Sequence, residues 1–260
     1  MSDEHKHRAR IFLHRGDLAQ ARRYYERALE DDRASKDDHA LSDTLGNLGN
    51  VCAMMGDAAT ALLHYRAVLK IQRLQQDPHA IGQTLANLGN VHADCGQAEQ
   101  ARAYYLEALD VLESHHDHRA LGVLYSNLAL QEAAAGRGEE AIRTFKKALE
   151  RHRLAGDEAG LAVTYSQLGK TFLQEDQREQ AEKCLNNASE HFIKLGNGAG
   201  EAAALRLLAD LYEQRGDIQS ALRCLERVVQ ISRRLDAAPS PHDTERLARL
   251  QSAVKRNRVS

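Results

Sequence analysis

The sequence predicts an all-α chain, a right-handed α-solenoid of six helix–turn–helix units closed by one C-terminal helix. Three observations predict it. The first is a period: Gly16, Gly56, Gly96, Gly136 and Gly216 stand on a 40-residue ladder, with Asp176 on the remaining rung. Five residues after each rung comes alanine, at 21, 61, 101, 141, 181 and 221. The second is helical spacing inside the period. Ala61, Tyr65, Val68 and Leu69 fall on one helix face, and so do Leu41, Leu45, Leu48 and Cys52 upstream. The third is composition: 260 residues contain 3 prolines and no tryptophan, where average usage gives about 13 prolines. Proline breaks helix interiors, so its scarcity favours long helices.

Each element then has a local reason. Between the helices of a unit, Gly56 can take the left-handed conformation that ends the first, and Asp57 can cap the second. A second ladder, Asp37, Asp77, Asp117, Asp157 and Asn197, supplies N-caps between units, with Pro78 at a first-turn position. The expected units are 1–36, 37–76, 77–116, 117–156, 157–196 and 197–235, with a linker over 236–239 and a capping helix over 240–257. The alanine ladder and the small column Gly49, Gly89, Ala129, Gly169 and Ala209 let helices cross closely. At the N-terminus, His5 and Arg8 occupy columns that are apolar elsewhere, which predicts a polar cap or a frayed end. At the C-terminus, Ser240, Pro241 and Asp243 start a helix, and Leu247, Leu250 and Val254 form its apolar stripe. Arg246, Arg249, Lys255 and Arg256 make its other face a solvating cap.

Composition also excludes function classes. Lys+Arg is 35 and Asp+Glu is 37, a net charge of −2, which gives no support to nucleic-acid binding driven by bulk charge. No apolar run approaches the ~18 residues of a membrane span, and the N-terminus lacks a signal peptide's apolar stretch. The expectation is a cytoplasmic protein with Cys52, Cys95, Cys184 and Cys224 as reduced thiols. Gly169-Lys170-Thr171 mimics the end of a phosphate-binding loop, but Thr164 stands where that loop needs glycine. The string from Gly136 to Ala141 fits a dinucleotide fingerprint only as the ordinary turn plus the ladder alanine. His115, His116 and His118 cluster beside Asp117, as surface residues or an adventitious metal site. No arrangement supports catalysis; neither a cofactor nor a metal is expected.

These columns resemble the tetratricopeptide repeat. Leu48, Gly49 and Cys52 lie on its L-G-x2-Y stretch, and Ala61 with Tyr65 on its A-x3-F stretch. Its tryptophan column holds Leu45, Leu85, Tyr125, Tyr165 and Leu205, and its closing proline is absent. The long unit and the Asn-Leu-Gly-Asn strings at 47–50 and 87–90 are similar to Pins-type and kinesin-light-chain-like repeats. The resemblance implies a concave groove, lined by first helices, whose asparagines hold a partner peptide.

The sequence itself marks the same face. One first-helix column reads Asn47, Asn87, Asn127 and Gln167, and another reads Asn50, Asn90, Leu130, Lys170 and Asp210. Asparagine is a poor helix-interior residue, so its recurrence needs a reason. Two readings stand. An amide carries donor and acceptor and can pair an extended peptide's backbone. Alternatively, the amides bond adjacent helices and fix their register. Lys6, His7 and Arg10 would flank one end, Val123, Ala133, Ala134 and Val163 the middle, and Lys170, Arg206, Asp210 and Glu213 the other end. A carboxylate clamp that needs a basic residue before each asparagine is excluded by Gly46, Ala86, Ser126 and Ser166. The expected site is Asn47, Asn50, Asn87, Asn90, Asn127, Gln167, Lys170 and Arg206. The expected function is a non-catalytic scaffold or adaptor for a protein or peptide segment, binding neither nucleic acid nor membrane, as a monomer or weak homo-oligomer. The alternatives are a peptide- or ligand-responsive regulator and a self-assembling structural protein.

Overall fold

The computed structural model describes residues 1–235 and 237–257. Among the described residues there are thirteen helices and no strand. In chain order they are α1 (Ser2–His14), α2 (Leu18–Ser35), α3 (Asp38–Met54), α4 (Ala58–Gln75), α5 (Pro78–Asp94), α6 (Ala98–Glu113) and α7 (His118–Ala134). There follow α8 (Gly138–Leu154), α9 (Glu158–Gln174), α10 (Arg178–Lys194), α11 (Gly198–Arg215), α12 (Ile218–Arg234) and α13 (Pro241–Asn257). No described helix is long and apolar enough to cross a membrane. The chain divides into two compact units, Met1–Gln131 and Glu132–Ser260, so the boundary falls inside α7. In the first unit α1 pairs with α2, α3 with α4 and α5 with α6, while α2 rests on α3 and α4 on α5. In the second, α9 pairs with α10 and α11 with α12; α8 rests on α9, α10 on α11, and α13 on α12.

The turns follow from the two ladders. Gly16, Gly56, Gly96, Gly136 and Gly216 take φ values of 77, 78, 71, 74 and 76°, and Asp176 takes 54° in their place. The caps between units form: Asp37, Asp77, Asp157 and Asn197 each accept a first-turn backbone N–H, and Asp117 accepts from Ala120 N at 3.0 Å. One feature has no sequence signature. The turn between units is also left-handed at Lys36, Gln76 and His116, with φ of 58, 55 and 54°, where later units carry Gly156 and Gly196. No glycine marks those three turns, which bear the Cβ cost of the left-handed conformation, roughly 1–2 kcal/mol each.

Packing explains the repeated columns. All six ladder alanines are fully buried. A Cβ built on Gly49 would lie 2.7 Å from the Tyr65 ring, and one on Gly89 2.5 Å from the Tyr105 ring. Glycine is therefore required where tyrosine fills the crossing, whereas Ala209 fits in the cluster with Leu225. Buried polar residues come in matched pairs twelve positions apart. Thr44 Oγ1 donates to Asp32 Oδ2 at 2.6 Å, and Thr84 Oγ1 to Gln72 Oε1 at 2.7 Å. Where the same columns turn apolar, both members do: Leu112 with Leu124, and Phe192 with Ala204. A buried hydroxyl without its acceptor would carry an uncompensated desolvation cost, so the pair changes together.

The two ends are built differently. In α1 only Ala9 is buried, Lys6 turns inward to Asp32 at 3.1 Å, and Tyr24 lies against Phe12 and under Arg8. This makes α1 a polar cap. Burial works to raise the Asp32 carboxyl, but the groups bonded to it, Thr44 and Lys6 among them, hold it below the usual range. In α13, Leu250 is buried with Leu208 and Leu225, and Leu247 packs beside them. Asp236 of the linker, and the Lys255 and Arg256 side chains expected on the solvating face, lie outside the described residues.

Candidate functional site

The first-helix face of the first unit carries five of the expected site residues, and they are not equivalent. Asn50 and Asn90 are bound from within. Tyr65 Oη donates to Asn50 Oδ1 at 2.6 Å, and Tyr105 Oη donates to Asn90 Oδ1 at 2.7 Å. Each bond spans fifteen residues and passes over Gly49 or Gly89, whose missing Cβ admits the ring. Burial pushes the Tyr65 phenol up to about 12 and raises that of Tyr105 as well. Both phenols are held protonated as donors, which turns each amide oxygen inward and its N–H₂ outward.

The other column behaves differently. Asn127 Nδ2 donates to Asn90 Oδ1 at 3.0 Å, linking α7 to α5 across 37 residues. Asn47 Nδ2 donates to its own helix at Asp43 O, at 2.9 Å. The Asn87 side chain, half-buried, makes no hydrogen bond among the described residues. It faces a cavity of about 360 Å³ between α5 and α7, together with Asn90 and Asn127. The floor of this cavity is apolar, from Ala86, Leu112, Ala120 and Leu124, with Val123 on its wall. Gly82 opens the floor, since a Cβ there would lie 2.5 Å from Leu112. At its rim His79 Nδ1 meets Asp117 Oδ2 at 2.5 Å. Three amides around an apolar pocket can hold a peptide backbone above one apolar side chain.

The remaining expected residues lie in the second unit. Gln167 Oε1 is buried without a hydrogen-bond partner among the described residues, and Lys170 is exposed on α9. Arg206 is engaged by the chain itself: it forms a two-pronged pair with Asp243 of α13, its Nη2 at 2.8 Å. Asp210 and Glu213 are engaged as well, both by Arg246, and Glu213 also by Arg249. So α13 occupies the end of the face that the sequence assigned to a partner. Its Arg246 and Arg249 are ion-pair donors to α11. Lys6 is likewise turned to Asp32, while His7 and Arg10 are exposed at the N-terminal end.

The motifs set aside in the sequence have ordinary places. Gly169-Lys170-Thr171 lies inside α9, and Gly136 is the turn before α8. Among the described residues no group of three or more His, Cys, Asp or Glu side chains could hold a metal ion. The four cysteines are free, and burial pushes the thiols of Cys184 and Cys224 up to about 11.

The inward tyrosine–asparagine bond is what sequence reasoning missed. Its signal was present: asparagine occupies the column at 50 and 90, where the residue fifteen later is tyrosine. At 130, 170 and 210, where that residue is Phe145, Leu185 or Leu225, the asparagine is gone. From the second repeat on, amide and phenol change together for the same reason as the threonine pairs, whereas the first repeat has Tyr25 with Arg10 in the amide column.

Comparison with known proteins agrees with this architecture. No curated protein matches the chain. Among solved structures, BtubC (BKLC) from P. vanneervenii is similar with a TM-score of 0.77 at 22% identity, over 86% of this chain and 94% of that one. A signal transduction ATPase with a tetratricopeptide repeat sensor from Pyrococcus horikoshii gives a TM-score of 0.79 at 16% identity, over 94% of this chain and 38% of that one. Aspartyl phosphate phosphatase F from Bacillus subtilis gives 0.67 at 16% identity, over 88% of this chain and 59% of that one. The tetratricopeptide repeat family model matches residues 4–73, 80–153, 121–188 and 160–234. With the 40-residue ladder, the paired helices and matches over most of its length, the chain belongs to the tetratricopeptide repeat family.

Proposed function

We propose that this protein is a non-catalytic scaffold that holds an extended segment of a partner protein along its first-helix face. The observation that carries the reading is the cavity between α5 and α7, where Asn87, Asn90 and Asn127 surround an apolar floor. Asn90 presents its N–H₂ outward because two donors occupy its oxygen, which suits it to a peptide carbonyl. Asn87 keeps both halves of its amide for a partner. An apolar side chain of the segment fills the pocket beside Val123 and Leu124. The outward amide of Asn50 extends the face. Asn50 and Asn90 therefore do two things: the oxygen staples the unit and the nitrogen faces the partner.

The test separates recognition from stapling at one residue. Asn87 has no internal bond to lose, so Asn87→Ala leaves the thermal melt unchanged and weakens capture of the partner about tenfold, as for one or two lost hydrogen bonds. Capture is read by pull-down and quantitative mass spectrometry of full-length wild type against the variant. A variant that melts lower and keeps its partner overturns the reading.

A further inference from the structure

The second helices of the first unit carry a strip that the chain itself leaves unanswered. Alone among the described helices, α4 contains no Asp or Glu. Its Leu63, Arg66, Lys70 and Leu74 stand at i, i+3, i+7 and i+11, along one face of the helix, and all four are exposed. The two leucines are 67% and 79% exposed. Arg66 and Lys70 make no ion pair among the described residues, although they lie four positions apart, where like charges destabilise a helix. On other second helices Arg22, Arg143 and Arg227 each have a carboxylate. Beside the strip an open groove of about 580 Å³ lies between α4 and α6, lined by Arg66, Lys70, Arg73 and Leu74 on one side and Tyr104 and Glu107 on the other. The Tyr104 ring is stacked on buried His92 at 5.2 Å. One cation of α4 is already answered: Arg73 Nη2 lies 2.5 Å from Glu107 Oε1. That pair shows that a carboxylate on a helix beside α4 reaches its cations.

We propose that this strip docks an acidic amphipathic helix of a partner protein, laid along α4. Its carboxylates face Arg66 and Lys70 as Glu107 faces Arg73, and its apolar residues cover Leu63 and Leu74. The strip runs from residue 63 to residue 74, about 16 Å of helix, so about three turns of the partner cover it. Charge and apolar surface together choose the occupant. Unpaired cations between exposed leucines fit a helix that carries acids and apolar residues on one face, whereas a phosphate-rich polyanion leaves both leucines in water. The docking is independent of the reading of the first-helix face.

The probe is a displayed library of helical peptides of about five turns, with leucine fixed along one stripe and the flanking positions randomised, panned on the full chain. Selected helices carry Asp or Glu beside the stripe at i and i+4, and their binding weakens with salt. Arg66→Gln with Lys70→Gln weakens binding about tenfold. Neither cation has an ion pair to lose, so this double variant melts no lower than wild type. Arg66→Glu with Lys70→Glu abolishes binding, and lysine in place of the peptide's acids restores it. Asn87→Ala binds the selected helices unchanged, which separates this surface from the first-helix groove. No selected helix, no acidic preference, or equal binding to the double glutamine variant overturns the proposal. So does equally tight binding of polyphosphate or of an acidic peptide without leucines, which makes the strip a site for charge alone. Sedimentation of the chain by itself supplies the last arm: a dimer that the double glutamine variant dissolves makes a second copy the occupant, and the proposal falls.

Discussion

At the scale of single residues, the asparagines are defined by what touches their oxygens. Tyr65 and Tyr105 are buried donors, and each has one acceptor, Asn50 or Asn90. Replacing either tyrosine by phenylalanine removes one hydrogen bond and re-exposes an amide that can turn to water, costing about 1 kcal/mol in urea unfolding. Asn90→Ala costs more, about 1–3 kcal/mol, because it leaves a buried phenol unsatisfied. The same bonds predict alkaline sensitivity. The folded value for Tyr65 is raised to about 12 from the ordinary 10, by burial first, so the folded chain keeps a proton that the unfolded chain loses. The stabilisation is whole below about pH 10 and is lost as pH rises through the folded value. Absorbance titration of the phenolates shows a step near 12 to which Tyr65 and Tyr212 both contribute, and Tyr65→Phe lowers its amplitude by one phenolate. The amide columns were legible from their 40-residue spacing, yet their partners were not, since a bond across fifteen residues depends on how two helices cross.

At the scale of elements, each helix pair works because its smallest residues face its largest. Gly89→Ala raises helix propensity by about 1 kcal/mol, but its Cβ would lie 2.5 Å from the Tyr105 ring. The ring must shift and strain its bond to Asn90, so the variant is destabilised by about 1–3 kcal/mol in chemical denaturation. The C-terminal helix α13 illustrates what a sequence hides. Its apolar stripe was readable, and Leu250 is indeed buried with Leu208 and Leu225. Its charged side was read as solvating, yet Arg246 reaches Asp210 and Glu213, while buried Asp243 holds Arg206. These pairs join residues 33 to 37 positions apart, a separation that matters only once successive first helices lie side by side. Leu250→Ala leaves a cavity under α13 and costs about 2–4 kcal/mol by urea unfolding.

At the scale of the molecule, repeats give local stability, each helix pair answering mainly to its neighbours. Hydrogen exchange of Leu250→Ala therefore shows faster exchange in α11, α12 and α13 and unchanged protection in α1 to α4. The sequence by itself determined the fold class and the helix pairs, because the 40-residue period, the ladder alanines and the capping aspartates act within a few residues of chain. It also marked the first-helix face, because asparagine in a helix interior demands an external reason. Only the tertiary structure decided how that face is divided: Asn50 and Asn90 bound inward by tyrosines, Asn87 open to a cavity, and Arg206 closed by α13. It also left Tyr25 without an acceptor. The physical reason is that a hydrogen bond is satisfied by a direction and a distance. Those are set when helices pack, whereas a period fixes only which residues can meet.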